Sequence, residues 1–277
     1  MKKYKYPSVL TIAGTDPTGG AGIQADLKTF AALGCYGMSV ITALVAQNTQ
    51  GVKAIHSVPP DFVKEQLLAV LDDIQPDAIK IGMVHSVALV NVIAEVLQDY
   101  PQIPVVFDPV MIATSGDRLI EEDTIAAIIE KLFPLAKLIT PNMDEAALLA
   151  GVPVKVVDDM YEAAAHIMEM KPQALLLKGG HLESDKLTSM LVNAAGLVEE
   201  YHSERIITNN MHGSGCTLSS AIAAFLARGF TLRESVAQAQ EYVHGAIYNA
   251  ADVLFGKGNG PLNHSYNPQK MIKNEMV

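Results

Sequence analysis

The residue types best suited to chemistry gather at His212-Gly213-Ser214-Gly215-Cys216-Thr217, which opens the apolar run LSSAIAAFLA. N–H groups left free at a helix start, beside glycines that let the backbone approach a ligand, form an anion site that the helix dipole reinforces. The backbone of Gly213, Ser214, Gly215 and Cys216 is therefore a candidate phosphate cradle. A thiol at a helix start is expected to have a lowered pKa, so Cys216 could take a proton or hold a hydroxyl in line. The plainer reading is that Ser214 or Thr217 caps the helix and Cys216 packs as a small hydrophobe. Two other segments supply matching parts. LITPNMDEAALL sets Asn142 and Glu145 three residues apart at a helix start, an amide and a carboxylate suited to a hydrated Mg²⁺. LLLKGGH supplies Lys178 beside two glycines, a cation for phosphate oxygens. Each alone also reads as a cap or a solvated charge; together they are the parts of a phosphoryl-transfer site.

The other nucleotide motifs fail. Gly20-Ala21-Gly22-Ile23-Gln24-Ala25 matches G-x-G-x-x-G/A in form, but six residues separate it from the strand before it, and the next strand ends in Ala46-Gln47-Asn48 with no acid until Asp61. A dinucleotide fold needs a tight turn and a ribose-binding carboxylate there. GxxxxGK[ST] is missing, which excludes a P-loop.

The elements that must position these residues alternate. Short β-branched runs at 9–13, 38–46, 78–83, 104–108, 137–140 and 174–178 read as strands. Between them, 21–33, 61–74, 87–97, 123–133 and 160–170 repeat apolar residues at helical spacing. This predicts an α/β fold with a mostly parallel sheet covered by helices on both faces. Residues 187–205 fold back at Ala195-Gly196 and predict an antiparallel hairpin at the sheet edge, before two closing helices at 214–228 and 231–254. Chemistry is expected at the strand ends. One domain over 1–277 is expected.

Composition narrows the partner. The 277 residues are 49% hydrophobic and carry a formal charge of −10 with no long basic run, which argues against nucleic acid and anionic membranes and for a small molecule. Cys35 and Cys216 could form at most one disulfide, no stretch approaches a membrane span, and the N-terminal apolar stretch is too short for a signal peptide, so a cytoplasmic location is expected.

TIAGTDPTGGAGIQADLKTF (11–30), TALVAQNTQGV (42–52), IKIGM (79–83), DPVM (108–111), SGD (115–117), LITPN (138–142), KGGH (178–181), HGSGCTLSSAIAA (212–224) and GKGNGP (256–261) occur in this order. With them the chain resembles, from Leu10 to about His264, the hydroxymethylpyrimidine/phosphomethylpyrimidine kinases of thiamine biosynthesis. These are ribokinase-like enzymes, and pyridoxal kinases share many of the motifs. The resemblance implies a three-layer α/β/α fold and a kinase that uses ATP and Mg²⁺, with K⁺ as a further option, and acts as a homodimer. It implies phosphorylation of 4-amino-5-hydroxymethyl-2-methylpyrimidine and then of the monophosphate. By motif position it places Asp26 and Gln47 on the pyrimidine or its hydroxymethyl arm and Gly14, Met83 and Val110 around it. Cys216 falls where most ribokinase-like enzymes carry an Asp base. Asp108, Asn142 and Glu145 fall at Mg²⁺ and its waters, and Lys178, Asn142 and Thr217 at the nucleotide. Ser214 replaces the common Thr and keeps the hydroxyl. The alternative that shares these motifs is a pyridoxal kinase, against which the Gln47 amide leans because it matches an aminopyrimidine edge.

Overall fold

Alternation along the central strands divides the core into two faces. In a computed structural model, which describes residues 2–111 and 120–275, the first half of the chain runs β1 (Tyr4–Lys5), β2 (Ser8–Gly14), α1 (Gly22–Ala32), β3 (Tyr36–Asn48), β4 (Gly51–Ser57), α2 (Pro60–Leu71), β5 (Ala78–Ile81), α3 (Val87–Leu97), β6 (Val105–Phe107) and α4 (Glu122–Lys131). The second half runs β7 (Leu138–Ile139), α5 (Met143–Ala150), α6 (Val157–Glu169), β8 (Ala174–Leu177), β9 (Lys186–Asn193), β10 (Val198–Glu204), α7 (Ser214–Ala227), α8 (Leu232–Tyr248) and β11 (Asn274–Glu275). The Ser115-Gly116-Asp117 motif lies outside the described residues.

Nine strands form one sheet in the order β10-β9-β8-β7-β6-β5-β2-β3-β4, while β1 and β11 pair separately. Leu10, Ile12, Ile79, Ile81, Val105, Phe107, Ile139, Leu175 and Leu177 face the core shared with α2 to α6. Their neighbours Val9, Ala78, Val106, Leu138, Ala174 and Leu176 face α1, α7 and α8. Strands apolar on both faces can only be buried between helix layers, so the chain adopts the three-layer arrangement. The hairpin at 187–205 is present as β9 and β10, antiparallel to each other, with β9 also antiparallel to β8.

The opposite edge differs from the sequence reading. The strand expected at 38–46 extends over Tyr36–Asn48 and turns back as β4, an antiparallel partner whose residues are almost all exposed. A strand with no core face has no apolar alternation to reveal it. The last helix also stops at Tyr248 rather than 254. No helix among the described residues is long and apolar enough to cross a membrane.

The parallel strands β2, β5, β6, β7 and β8 all point one way. The residues at or just after their ends, Gly14, Met83, Asp108, Asn142 and Lys178, are thereby delivered to a single edge of the sheet.

Candidate active site

Along that edge runs a cleft of about 650 Å³. Gly14, Val45, Gln47, Met83 and Val110 line it, as do Asn142, Glu145 and Lys178 with Gly213, Ser214, Gly215 and Cys216. Met211, Leu218, Val243 and Ile247 also line it, with Gln240 and His244.

The start of α7 is open. Its N-cap is Gly213 at φ +82°, and no side chain caps it, so neither Ser214 nor Thr217 satisfies the first N–H groups. A Cβ at Gly213 would overlap the Gly20 carbonyl oxygen, which is why the left-handed residue there must be glycine. At Gly215 a Cβ would lie 3.2 Å from Lys178 Nζ, so the bare backbone leaves the lysine room to reach over the helix start. Lys178 Nζ donates to Asp108 Oδ1 at 2.8 Å, and its side chain keeps 12% exposure. Burial opposes its charge, but Asp108 and Glu145 outweigh that and hold it protonated. Lysine, peptide N–H groups and helix dipole thus converge on one point, an arrangement that favours a polyanion.

Cys216 departs from expectation. Desolvation pushes its thiol up to about 11, and the nearby Asp26 and Asp108 add to the shift; only Lys80 and the Gly22 N–H favour the thiolate. Desolvation first, and then the two carboxylates, outweigh the helix start and favour the thiol, although the residue is only half-buried. Cys35 is 1% exposed and packs its sulfur 3.5 Å from the Ala224 carbonyl oxygen, a core position.

The residues expected at Mg²⁺ are held by other partners. Asn142 Oδ1 accepts from Glu145 N at 2.9 Å and Glu145 Oε2 accepts from Asn142 N at 2.8 Å, a reciprocal cap on α5. Asp108 accepts from Lys178, from Thr140 Oγ1 at 3.0 Å and from Ser219 Oγ at 3.3 Å. Among the described residues no group of three or more His, Cys, Asp or Glu side chains is placed to hold an ion unaided. Glu145 is 2% exposed and its carboxyl is raised to about 7 by desolvation and by Asp108, against the pull of Lys178. Two acids beside one lysine leave room for further positive charge.

Two other expected contacts lie behind the cleft wall. Asp26 is 0% exposed and accepts from Lys80 Nζ at 2.9 Å, Thr11 Oγ1 at 2.6 Å and Ser220 Oγ at 2.6 Å, so its oxygens are spent inside the protein. Thr217 is also fully buried; its hydroxyl donates to the Gly213 carbonyl oxygen at 2.8 Å and meets His264 Nε2 at 3.0 Å. It braces the loop and does not line the cleft.

A sequence model of phosphomethylpyrimidine kinase matches residues 16–263. The chain belongs to the phosphomethylpyrimidine kinase family. It is 48% identical to the hydroxymethylpyrimidine/phosphomethylpyrimidine kinase of Rhizobium meliloti over 92% of this chain and 96% of that one. It spans about half, 49%, of a probable bifunctional thiamine biosynthetic enzyme of rice at 45% identity. Among solved structures, the phosphomethylpyrimidine kinase of Clostridium difficile is 44% identical with a TM-score of 0.76, covering 87% of this chain and 99% of that one. An ADP complex of Bacillus subtilis pyridoxal kinase is 36% identical with a TM-score of 0.87, covering 94% and 98%.

Within this family fold, sequence reasoning missed Lys80, Asp16 and His212. Lys80 lies in the apolar strand AIKI and is 0% exposed, a lysine whose burial in a hydrophobic run is itself a signal that an acid must meet it. Asp16 pairs with His212 Nε2 at 2.9 Å across 196 residues, a contact that no spacing could suggest.

Proposed function

We propose that the chain transfers the γ-phosphoryl group of ATP to the hydroxyl of 4-amino-5-hydroxymethyl-2-methylpyrimidine, and then a second phosphoryl group to the monophosphate. The observation that carries this reading is one cleft lined together by Gln47, Lys178, the open start of α7 and Cys216. ATP would lie with its base against the apolar residues of the cleft. Met211, Leu218, Val243 and Ile247 suit a flat apolar ring, and Gln240 Nε2 and His244 Nε2 are buried without a hydrogen-bond partner among the described residues. The phosphates would reach Lys178 and the N–H groups of α7, whose placement stabilises charge on the transferring group.

At neutral pH the Cys216 thiol acts as a positioning group: it accepts the substrate hydroxyl's hydrogen bond and aligns its oxygen on the γ-phosphorus. The oxygen–phosphorus bond forms as the bond to the β-phosphate breaks, and the hydroxyl proton passes late to an oxygen of the transferred phosphoryl group, which a loose transition state permits. The donor set fits a hydrated Mg²⁺ held mainly through phosphates and waters, with Glu145 and Asp108 as the acids that would meet those waters; bound there, it would neutralise phosphate charge. A cytoplasmic homodimer completes the proposal; the exposed Leu44, Val52 and Ile55 on β3 and β4 offer apolar surface for a second copy.

Pyridoxal kinase is the second reading, favoured by the TM-score of 0.87 to the Bacillus subtilis enzyme. Gln47 separates the two, since an amide meets the acceptor nitrogen and donor amino group of an aminopyrimidine together, and pyridoxal lacks that pair. Coupled assays with the pyrimidine alcohol, its monophosphate and pyridoxal side by side, with and without K⁺, should show kcat/KM highest for a pyrimidine. Gln47→Met should erode that preference by roughly 10²-fold, chiefly by harming the pyrimidine. Equal or better use of pyridoxal by the wild type would move the assignment to the second reading.

A further inference from the structure

Asn263 and His264, beyond α8, take no part in the chemistry above, yet they bring the chain back to the start of α7. Tyr242 Oη donates to the His264 carbonyl oxygen at 2.7 Å, and Asn263 N donates to the Ala246 carbonyl oxygen at 3.1 Å, so α8 holds two successive residues in place. The His264 ring is buried, with its Nε2 3.0 Å from Thr217 Oγ1. Thr217, equally buried, belongs to the first turn of α7, and its Oγ1 lies 2.8 Å from the Gly213 carbonyl oxygen. Neither His264 nor Thr217 lines the cleft.

The donor inventory orients this chain of bonds. A carbonyl only accepts, so Thr217 spends its one hydrogen on Gly213; its oxygen then accepts from His264, and the imidazole carries its proton on Nε2. Burial first, and then Lys28, push His264 down to about 4, so the ring is neutral with a single N–H at neutral pH.

Gly213 is where the loop needs such support. His212 before it is tied by its N–H to the Gly260 carbonyl oxygen at 3.0 Å and by its ring to Asp16 at 2.9 Å. Gly213 has no side chain to restrict it and stands at φ +82°. Its carbonyl takes two donors from one residue, Thr217 N and Thr217 Oγ1, each at 2.8 Å. A threonine hydroxyl that returns to the carbonyl four residues back can leave it by turning about χ1. The imidazole opposes that turn, because the oxygen would lose its donor in a buried place.

We propose that His264 is a positioning residue for phosphoryl transfer: through Thr217 it holds the Gly213 carbonyl, and so sets how the N–H groups at the start of α7 meet the phosphates. The inference rests on the phosphate-binding role proposed above for that helix start.

His264→Leu keeps the bulk and removes the N–H. Its kcat should fall about 10- to 10²-fold while KM for the pyrimidine alcohol changes less than about threefold, because the loop meets the transferring group and not the pyrimidine. His264→Gln, whose amide N–H reaches about as far as Nε2, should recover most of the loss. Thr217→Val breaks the same chain at its middle, so the double variant with His264→Leu should be no slower than the slower single variant. A purely structural role would lower the melting temperature of His264→Leu and leave kcat of the folded protein within about threefold of the wild type. That result, losses that multiply in the double variant, or a His264→Gln enzyme as slow as His264→Leu would each overturn the proposal. Where His264→Leu does not fold, His264→Asn takes its place: its shorter amide stops short of Thr217, so kcat should be about tenfold below that of His264→Gln. Equal kcat in those two variants would count against the proposal in the same way. A wild type that phosphorylates none of the three acceptors named above would instead defeat the reading of function.

Discussion

Two buried lysine–aspartate pairs stand near Cys216, and they differ in one respect. Lys80 and Asp26 meet at 2.9 Å with both side chains 0% exposed. Lys178 and Asp108 meet at 2.8 Å with the lysine 12% exposed and bordering the open start of α7. In the first pair the aspartate's remaining lone pairs are filled by Thr11 and Ser220, and the lysine keeps no exposed surface. In the second, the aspartate is likewise filled, by Thr140 and Ser219, but the lysine retains donors toward the cleft. The same ion pair is therefore internal framework in one place and, on the function proposed above, a phosphate contact in the other. Access of the cation decides which.

Breaking the closed pair should have the largest effect on stability. Asp26→Ala strands a lysine without solvent or partner, at a cost of about 3–5 kcal/mol, while Asp26→Leu with Lys80→Met should be nearer the wild type because no charge is left behind. Urea denaturation of the three proteins checks this; a double variant no better than the single would mean the pair is not energetically closed. The open pair should respond in turnover instead. Lys178→Ala is expected to lower kcat by about 10²- to 10³-fold, with some loss of stability because Asp108 stays buried without it, and Cys216→Ala to lower kcat by about 10²-fold with a melting temperature close to wild type. Turnover within a factor of three in either variant would remove that residue from the reaction.

The smallest effect sharpens the electrostatics around the open pair. Glu145 has a folded pKa of about 7, above its unfolded value, so the folded state binds more protons between the two. Stability from this group is full below the unfolded pKa and falls as pH rises toward 7, by roughly 1–3 kcal/mol. In Glu145→Gln the fall across pH 5–8 should disappear, whatever constant offset the lost hydrogen bond adds. Chemical denaturation at several pH values reads the slope, and parallel slopes in the two proteins would show that Glu145 titrates normally.

Much of this arrangement is legible without coordinates. The alternation of β-branched runs with helical periods marks the layers, and the glycines before Cys216 and the lysine after ALLL mark two parts of the cleft. The sequence leaves open what a residue does where its type has two uses. Asn142 and Glu145 at a helix start look alike as cap and as metal ligands, and they close into a cap here. Asp26, which the family resemblance places on the substrate, is taken up by Lys80. Exposed β4 has no apolar period to betray it.

The sequence by itself determined the order of the central strands and the helices between them, the bare backbone at the start of α7 and the presence of a thiol and a lysine near it, because these depend on neighbours a few residues away. Only the tertiary structure decided how those groups behave. The direction of the Cys216 shift follows from Asp26 and Asp108, 190 and 108 positions earlier in the chain, and from desolvation by packed elements that no local pattern contains. Charge interacts through space and burial is a property of the folded whole, so the chemistry of a side chain is settled by what the fold brings against it.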